Sequence, residues 1–600
     1  MYTTLPESGI GSRNRSFLLA AIDFGRDGEG LPPFPADARI IRHTVRTQRL
    51  FAELAFSPDM VRAERNGSSF VLVHGEIYDE PESTFANRLL DACEAGSDLA
   101  PLLRERHGSF ACIVVDGSRD TLIVVTDHIN SRKLFWSRHG QRYWISSLSG
   151  FGHHPVAASD LDEAGVASAL VNGIPINGRT VFSAVRIADR ASVHTVDANG
   201  WRNDRYWELG FDPGRRPEKA LRDELAHLTL AAVGRRTRPD ESLFVSLSGG
   251  YDSTALIAAL VENGVRDATC LSYTKLSGSN QPDVLVARET ARMAEFPHRV
   301  VEGFKLPLLD VLRDNVRLGQ SNARLVAGTD AWREIGSILR AASPASLLVG
   351  DETLGFESGD PRSSTDVLHA LAFADWSGVP WLASRLPQRT NRLLADSLLS
   401  DLQEIVARAP AGESYQDTTD WIYLDQRLPR LLAWREAFAS HSASVRQPLL
   451  DCEILNFMQQ VPPELRKDKR LFCEAITERY PRWFASPRPA GGWEIRAWAR
   501  RVVQREWKTI EELLSNGPNP LDEWIPPAVL RDLLARQLRS PAATLPGRTA
   551  QRVRRHVGRA LAPRFVRVRR PRVRSVDECV LLLRAIHLRA VVQERLSASP

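Results

Sequence analysis

No apolar run in this sequence approaches the roughly 20 residues that a membrane-crossing helix needs, and the opening MYTTLPESGIGSRNRS has no basic stretch leading into an apolar one. Both absences predict a soluble protein with no membrane partner. Cysteine is scarce and scattered. The six, Cys93, Cys112, Cys270, Cys452, Cys473 and Cys579, include no C-x-x-C pair and no Cys/His spacing suited to zinc, so they read as buried thiols of a reducing, cytoplasmic compartment. Lysine is rarer than arginine by far, with seven lysines among 78 basic residues. Where a lysine persists in such a chain, ammonium chemistry is a reason to keep it. There is also no G-x-x-x-x-G-K-[ST] phosphate loop, no G-x-G-x-x-G fingerprint and no internal repeat.

What is present is an ordinary globular composition. Of the 600 residues 43% are hydrophobic and 25% charged, which excludes a disordered, collagen-like or coiled-coil chain and leaves room for several cores. The net charge of +5 is uneven, because Arg548 to Arg574 holds eleven arginines and no acid, leaving the rest mildly acidic. The spacing Arg548, Arg552, Arg555, Arg559 puts four guanidinium groups on one helix face, where like charges repel unless neutralised. Either the acidic body or an acidic protein or peptide partner would neutralise them. Nucleic acid is the weaker candidate, since the overall charge is low and the stripe has no interleaved aromatic beyond Phe565.

The first two hundred residues read as short strands, SFLLAAIDF, SFVLVHGEIYD, SFACIVVD, TLIVVTD and QRYWISS, with a helix over ESTFANRLLDACEAG. LDEAGVASALVNG reads as a helix closed by Gly173, and ASVHTVDANGWRNDRYWEL as a hairpin turning at Asn199-Gly200. The polar, proline-bearing GFDPGRRPEK then separates this α+β half from a different pattern. There, strands SLFVSLS, ATCLSYT and SLLVGDE alternate with helices, which predicts a parallel sheet covered on both faces. From about residue 415 the pattern is helical. The expected domains are 1–210, 216–485 and a helical, arginine-rich extension over 486–600.

Between the strand SLFVSLS and the helix STALIAALVENG lies Leu247-Ser248-Gly249-Gly250-Tyr251-Asp252-Ser253. Glycines there let backbone N–H groups approach an anion, and the helix N-terminus adds partial positive charge. Ser248 and Ser253 add hydroxyl donors, and Asp252 is a candidate Mg²⁺ ligand. The turn suits a pyrophosphate, and S-G-G-x-D-S resembles the PP-loop of ATP pyrophosphatases, which cleave ATP between the α and β phosphates. Gly350, Asp351 and Glu352 follow the apolar run SLLV, at the carboxyl edge of a strand where open α/β sheets bind ligands.

Further pieces fall in the order seen in class B asparagine synthetases. HGEIYD (74–79), HGSFACIVVD (107–116) and TDHINSRKLFW (126–136) resemble that family's amidotransferase domain, which implies an Ntn-hydrolase-like layered fold. VGDETLG (349–355) and VRQPLLDCEILNFMQQVPPELRKDKRLF (445–472) resemble segments of its synthetase domain. The resemblance implies ATP and Mg²⁺ as cofactors, with Leu247, Ser248, Gly249, Gly250, Asp252, Ser253 and Gly350 around the nucleotide. It further implies that Asp252 and Asp351 share the metal and that Lys469 and Glu352 take part in catalysis, with Lys467 as the nearby alternative. Arg446, Pro448 and Asp451 would shape the same wall, while Leu449 and Leu450 pack in the core. The departures are specific. Glutamine hydrolysis in that family uses a cysteine right after the initiator methionine, and Tyr2 stands there; His74 stands where an asparagine is expected.

The expected activity is therefore an AMP-forming amide synthetase without its own glutaminase, taking a small-molecule or peptide carboxylate and either free ammonia or an internal amine. The internal case resembles lasso-peptide cyclases and β-lactam synthetases. A nucleic-acid-binding or RNA-modifying PP-loop protein is the alternative from another class.

Overall fold

The computed structural model describes residues 17–24, 31, 40–148, 158–276, 280–319, 324–351, 355, 361, 363–371, 373–410, 414–486, 495–539 and 575–597. Among them no helix is long and apolar enough to cross a membrane. The arginine stripe from Arg548 to Arg574, Tyr2 and Glu352 lie outside the described residues.

Twelve strands build the first half: β1 (Leu18–Asp23), β2 (Ile41–Arg46), β3 (Phe51–Phe56), β4 (Val61–Arg65), β5 (Ser69–Ile77), β6 (Gly108–Asp116), β7 (Thr121–Thr126), β8 (Phe135–His139), β9 (Arg142–Ser146), β10 (Val185–Ile187), β11 (Ser192–Asp197) and β12 (Gly200–Arg205). They form two six-stranded sheets, ordered β10-β8-β9-β1-β3-β2 and β12-β11-β7-β6-β5-β4. Side chains alternate along each strand, so Leu18, Ala20 and Ile22 of β1 meet Phe70 and Leu72 of β5 in the core between the sheets. The odd set of β5, Val71 and Val73, faces the other way onto Phe85, Leu89 and Leu90 of the helix Glu82–Ala95. Both faces of the central strands are thus dry, which is why they read as unbroken apolar runs. Strands β2 and β4 escaped the sequence reading because arginines and other polar residues alternate through them. The helix Glu163–Val171 starts at the Asp162 cap and runs out at Gly173, whose φ of +79° suits glycine.

The second half holds a five-stranded parallel sheet of β13 (Ser242–Ser246), β14 (Thr269–Thr274), β15 (His298–Glu302), β16 (Ala345–Val349) and β17 (Ser444–Arg446), ordered β15-β14-β13-β16-β17. Val245 and Leu348 face the layer with helix Tyr251–Glu262, and Phe244 and Leu347 face helix Thr329–Ala341 on the opposite side. The sheet grows outward from β13 through β14 to β15, and the chain then returns to place β16 on the other flank of β13. That reversal opens a crevice at the carboxyl ends of β13 and β16. β17 interrupts a region that the sequence pattern assigns to helices; three residues are too few to show a strand period.

Helices Ile495–Arg505, Trp507–Ser515, Pro527–Arg539 and Glu578–Ser597 make up the C-terminal region. The last of them reaches back to the first half. Arg584 donates to the carbonyls of Leu170 (2.8 Å) and Val171 (2.7 Å), a cation placed at the C-terminus of helix Glu163–Val171.

The two halves meet through buried arginines. Arg446 on β17 is fully buried and grips Glu76 on β5 by two bonds of 2.6 and 2.9 Å, with Glu241 at 2.8 Å as a second anion. Asp451 accepts from Arg236 at 2.6 Å and Arg235 at 3.1 Å and lies 3.1 Å from His107 Nδ1. These two residues therefore face the first domain rather than the nucleotide wall that their motif suggests. Leu449 and Leu450 are buried. Replacing one member of a buried pair strands the other, at a cost of about 3–5 kcal/mol. Arg446→Met is accordingly expected to lower the melting temperature by many degrees in scanning calorimetry, and Glu76→Gln on top of it to recover part of the loss. A single variant that melts with the wild type would show that the clamp is not holding the halves together.

Candidate active site at the sheet crevice

Strand β13 enters the sheet on Leu243, Phe244 and Val245, all buried, and the chain turns as soon as it leaves. Leu247, 1% exposed, is tied back by its N–H to the Leu271 carbonyl at 2.8 Å, so it anchors the turn instead of facing a ligand. Gly249 has φ +76°, and a Cβ there would fall on the Asp283 carbonyl, so the position admits only glycine. Ser248 and Ser253 close the turn: the Ser248 N–H donates to Ser253 Oγ at 3.2 Å, and the two hydroxyls lie 3.1 Å apart. Gly250 then caps helix Tyr251–Glu262 with no side-chain hydrogen bond to the first-turn amides, leaving the partial positive end of a twelve-residue helix facing the crevice.

Strand β16 ends level with β13, since Val349 pairs with Ser246. Gly350 follows, and here the reason for glycine is space: a Cβ would stand 2.8 Å from the Ser253 nitrogen and 3.0 Å from the Asp252 carbonyl carbon. The missing side chain lets Asp351 come up beside Asp252.

Lys469 arrives from the far side of the fold. Its Nζ donates to Asp252 Oδ2 at 2.8 Å. To get there, Asp468 (φ +56°) and Lys469 (φ +58°) both adopt the left-handed conformation, which costs roughly 1–3 kcal/mol per non-glycine residue and is held only where the surroundings dictate it. The Lys469 N–H donates to the Gly355 carbonyl at 3.0 Å, and the Gly355 N–H donates to Asp420 Oδ1 at 2.9 Å. Asp420 and Asp417 both pair with the fully buried Arg466, whose guanidinium lies 3.8 Å from the Phe211 ring centroid.

A fourth group was not legible in the sequence. Arg435, on helix Leu428–Ala439, donates to Asp351 Oδ1. It sits among 71 arginines, no motif marks it, and only the packing of its helix against the sheet brings it here.

The electrostatics follow. Burial raises the Asp252 carboxyl above the ordinary aspartate range, Lys469 pulls it down, and the Asp351 charge raises it further. Asp252 Oδ1 and Asp351 Oδ2 are both buried with no hydrogen-bond partner. Two orphaned carboxylate oxygens beside a helix N-terminus are the donor chemistry that Mg²⁺ takes when it also holds phosphate oxygens. Asp252 and Asp351 are the residues that fit it. The cluster of His107, Asp451 and Cys452 does not fit a metal, because Asp451 already serves Arg235 and Arg236 and burial drives the Cys452 thiol well above its usual range.

In the first domain, His74 is buried beside Arg132, and burial with that charge pushes its imidazole down to about 3. Gly75, with φ +114°, packs against the Ser109 carbonyl, where a Cβ has no room.

Comparison with known proteins adds family to geometry. A glutamine amidotransferase domain matches residues 89–207, and asparagine synthase matches residues 224–323. These two domains, in this order, are those of the asparagine synthetase family. The first is Ntn-hydrolase-like in its layering, and the second marks a carbon–nitrogen ligase of an ATP-using amide synthetase family. The asparagine synthase match includes Leu247 to Ser253 and ends before Asp351 and Lys469, which the fold brings to it. No curated protein matches the chain. Among solved structures, glutamine phosphoribosylpyrophosphate amidotransferase from B. subtilis, complexed with ADP and GMP, is 10% identical over 72% of this chain and 98% of its own, with a TM-score of 0.21. A structure described as the allosteric regulatory enzyme of purine biosynthesis is 11% identical over 71% and 94%, with a TM-score of 0.19.

The buried histidines generate a pH dependence. Burial holds His128 down at about 4, and His74 at about 3, against 6.5 when exposed, so below pH 6.5 the unfolded chain takes up protons that the folded chain refuses. Their neutral forms cost nothing above pH 6.5, and stability falls as pH drops from there toward 4. At pH 5 the loss is about 2 kcal/mol per histidine. Melting temperature measured from pH 7 to pH 4.5 should fall, and His74→Asn should flatten the slope. An unchanged slope would mean that His74 is charged in the folded protein.

Proposed function

We propose that the chain is an AMP-forming amide synthetase that adenylates a carboxylate and passes the acyl group to an amine, with no ammonia supply of its own from glutamine. The observation that carries the reading is the convergence of Asp252, Asp351 and Lys469 on the mouth of a glycine turn that has no Walker lysine.

The roles follow from position. The amides of Gly249 to Asp252 and the hydroxyls of Ser248 and Ser253 cradle phosphate, with Leu247 anchoring the loop behind them. A substrate carboxylate oxygen attacks the α-phosphorus, the bond to the bridging oxygen breaks, and pyrophosphate leaves. Asp252 and Asp351 hold Mg²⁺, which when bound supplies positive charge to the leaving pyrophosphate. Lys469, a compact ammonium 2.8 Å from Asp252, is poised to move onto the developing phosphate charge. An amine then attacks the acyl carbon of the adenylate, loses a proton and expels AMP. Glu352 stays a candidate from its place after Asp351. The amine is free ammonia or an amino group on the substrate itself, the second case being ring closure. The free cysteines suit a reducing, cytoplasmic setting, and the arginine stripe suits an acidic protein or peptide partner.

With the right carboxylate, the purified protein should release AMP and pyrophosphate, and the carboxylate should trigger ATP–pyrophosphate exchange. Asp252→Asn and Asp351→Asn should each lower exchange by about 100-fold or more, the scale on which lost electrostatic stabilisation acts, with the fold retained by circular dichroism. ADP and phosphate as products, or near wild-type exchange from either variant, would overturn the assignment.

Glutamine should not be hydrolysed, since Tyr2 offers no thiolate and His74, neutral and buried, replaces the expected donor. Glutamate formation above a no-enzyme control that persists in Cys93→Ala would reveal another nucleophile.

A further inference from the structure

We infer that Arg435 is a positioning residue of the adenylation site, one that keeps divalent metal out of the empty crevice so that metal enters only with ATP. The inference rests on the adenylation reading above. Asp351 is 8% exposed, and Arg435 is bound to its Oδ1, as Lys469 is bound to Asp252 Oδ2. Two carboxylates therefore meet two cations, and the site is close to neutral before any ligand arrives. Each carboxylate still offers one buried, unpartnered oxygen, so the donor atoms for a cation are in place.

Charge decides when they are filled. A divalent ion entering alone would set four positive charges against two negative ones in a partly dry crevice, where repulsion between metal and guanidinium is weakly screened. The triphosphate of ATP brings more negative charge than the two carboxylates together and reverses that balance. It also gives Arg435 somewhere to go, since a planar guanidinium accommodates two phosphate or carboxylate oxygens at once.

The position of Arg435 is itself enforced. Its guanidinium lies 5.4 Å from the Trp434 ring centroid, and that of Arg324 lies 5.7 Å from the same ring. The next residue, Glu436, pairs with Arg132 of the first domain. The amidotransferase-like domain thus fixes the helix that presents Arg435 to Asp351.

The test uses Mn²⁺ as the probe, with free ion counted by electron paramagnetic resonance on the full-length protein. Wild type without nucleotide should bind Mn²⁺ weakly, and adding the non-cleavable α,β-methylene-ATP should tighten binding beyond what the analogue alone accounts for. Arg435→Gln without nucleotide should bind Mn²⁺ about tenfold or more tightly than wild type, and Arg435→Lys, which keeps the charge, within about twofold of it. Asp351→Asn added to Arg435→Gln should abolish the gain. Tight Mn²⁺ binding by nucleotide-free wild type, or equal binding by wild type and Arg435→Gln, would overturn the inference. Wild type that shows the expected Mn²⁺ behaviour but no ATP–pyrophosphate exchange with any carboxylate would leave this charge balance standing and defeat the adenylation reading instead.

Discussion

A guanidinium with no access to water must find its counter-ions in the protein, and Arg446 finds them on both sides of the domain junction. That requirement ties the whole molecule together. Arg446 belongs to β17, whose neighbour β16 pairs Leu348 with Arg446 and ends at Val349, two residues before Asp351. Glu76 belongs to the middle of β5 in the first domain. Docking of the two domains and the register of the strand that leads to Asp351 therefore meet in one cluster. Such pairs add little net stability over a well-packed apolar contact, but they are unforgiving of misplacement. They specify an arrangement more than they strengthen it.

The same chemistry recurs along the junction. Arg132 pairs with Glu436, Arg190 with Asp425 at 2.9 Å, Arg179 with Asp401 at 2.9 Å, and His107 with Asp451 at 3.1 Å. Glu76, His107 and Arg132 all lie in segments that resemble amidotransferase motifs, and all three direct their polar groups at the second domain. The amidotransferase-like domain therefore has a structural role at the junction, whatever its chemistry. Removing it would take Glu76 from Arg446, His107 from Asp451 and Arg132 from Glu436.

Much of the second domain was legible because its signals are local. The apolar run ending at Ser246, the glycines of the turn and the helix after it sit within twenty residues of one another, and backbone sterics at Gly249 and Gly350 demand the residues found there. Lys469 was readable as a candidate through scarcity, since a lysine among so many arginines stands out, whereas its pairing with Asp252 came only with the fold. Arg435 had no such contrast, and its role depends on a helix packing angle that no periodicity encodes. The placement of Arg446 and Asp451 was misread for a related reason: a motif preserves residue identity, whereas which wall the side chain faces depends on the neighbouring domain. Strands β2, β4 and β17 were missed because polar alternation or brevity erased their pattern.

The route by which Lys469 reaches its place shows how the site is prepared before any ligand binds. Two consecutive left-handed residues do not persist on a free loop, and here each step of their support is buried. The Gly355 carbonyl fixes the Lys469 amide, Asp420 fixes Gly355, and Arg466 fixes Asp420 while stacking on Phe211 from the segment that joins the two domains. Gly355 itself, at φ +82° against the Arg466 backbone, has no room for a side chain. The backbone strain is met by a buried network, so the ammonium is held beside Asp252 before any ligand binds. Preorganised charge is worth most where water is excluded. Lys469 and Asp252 are both largely buried at the crevice, so the strain in the loop and the electrostatics of the site serve the same end.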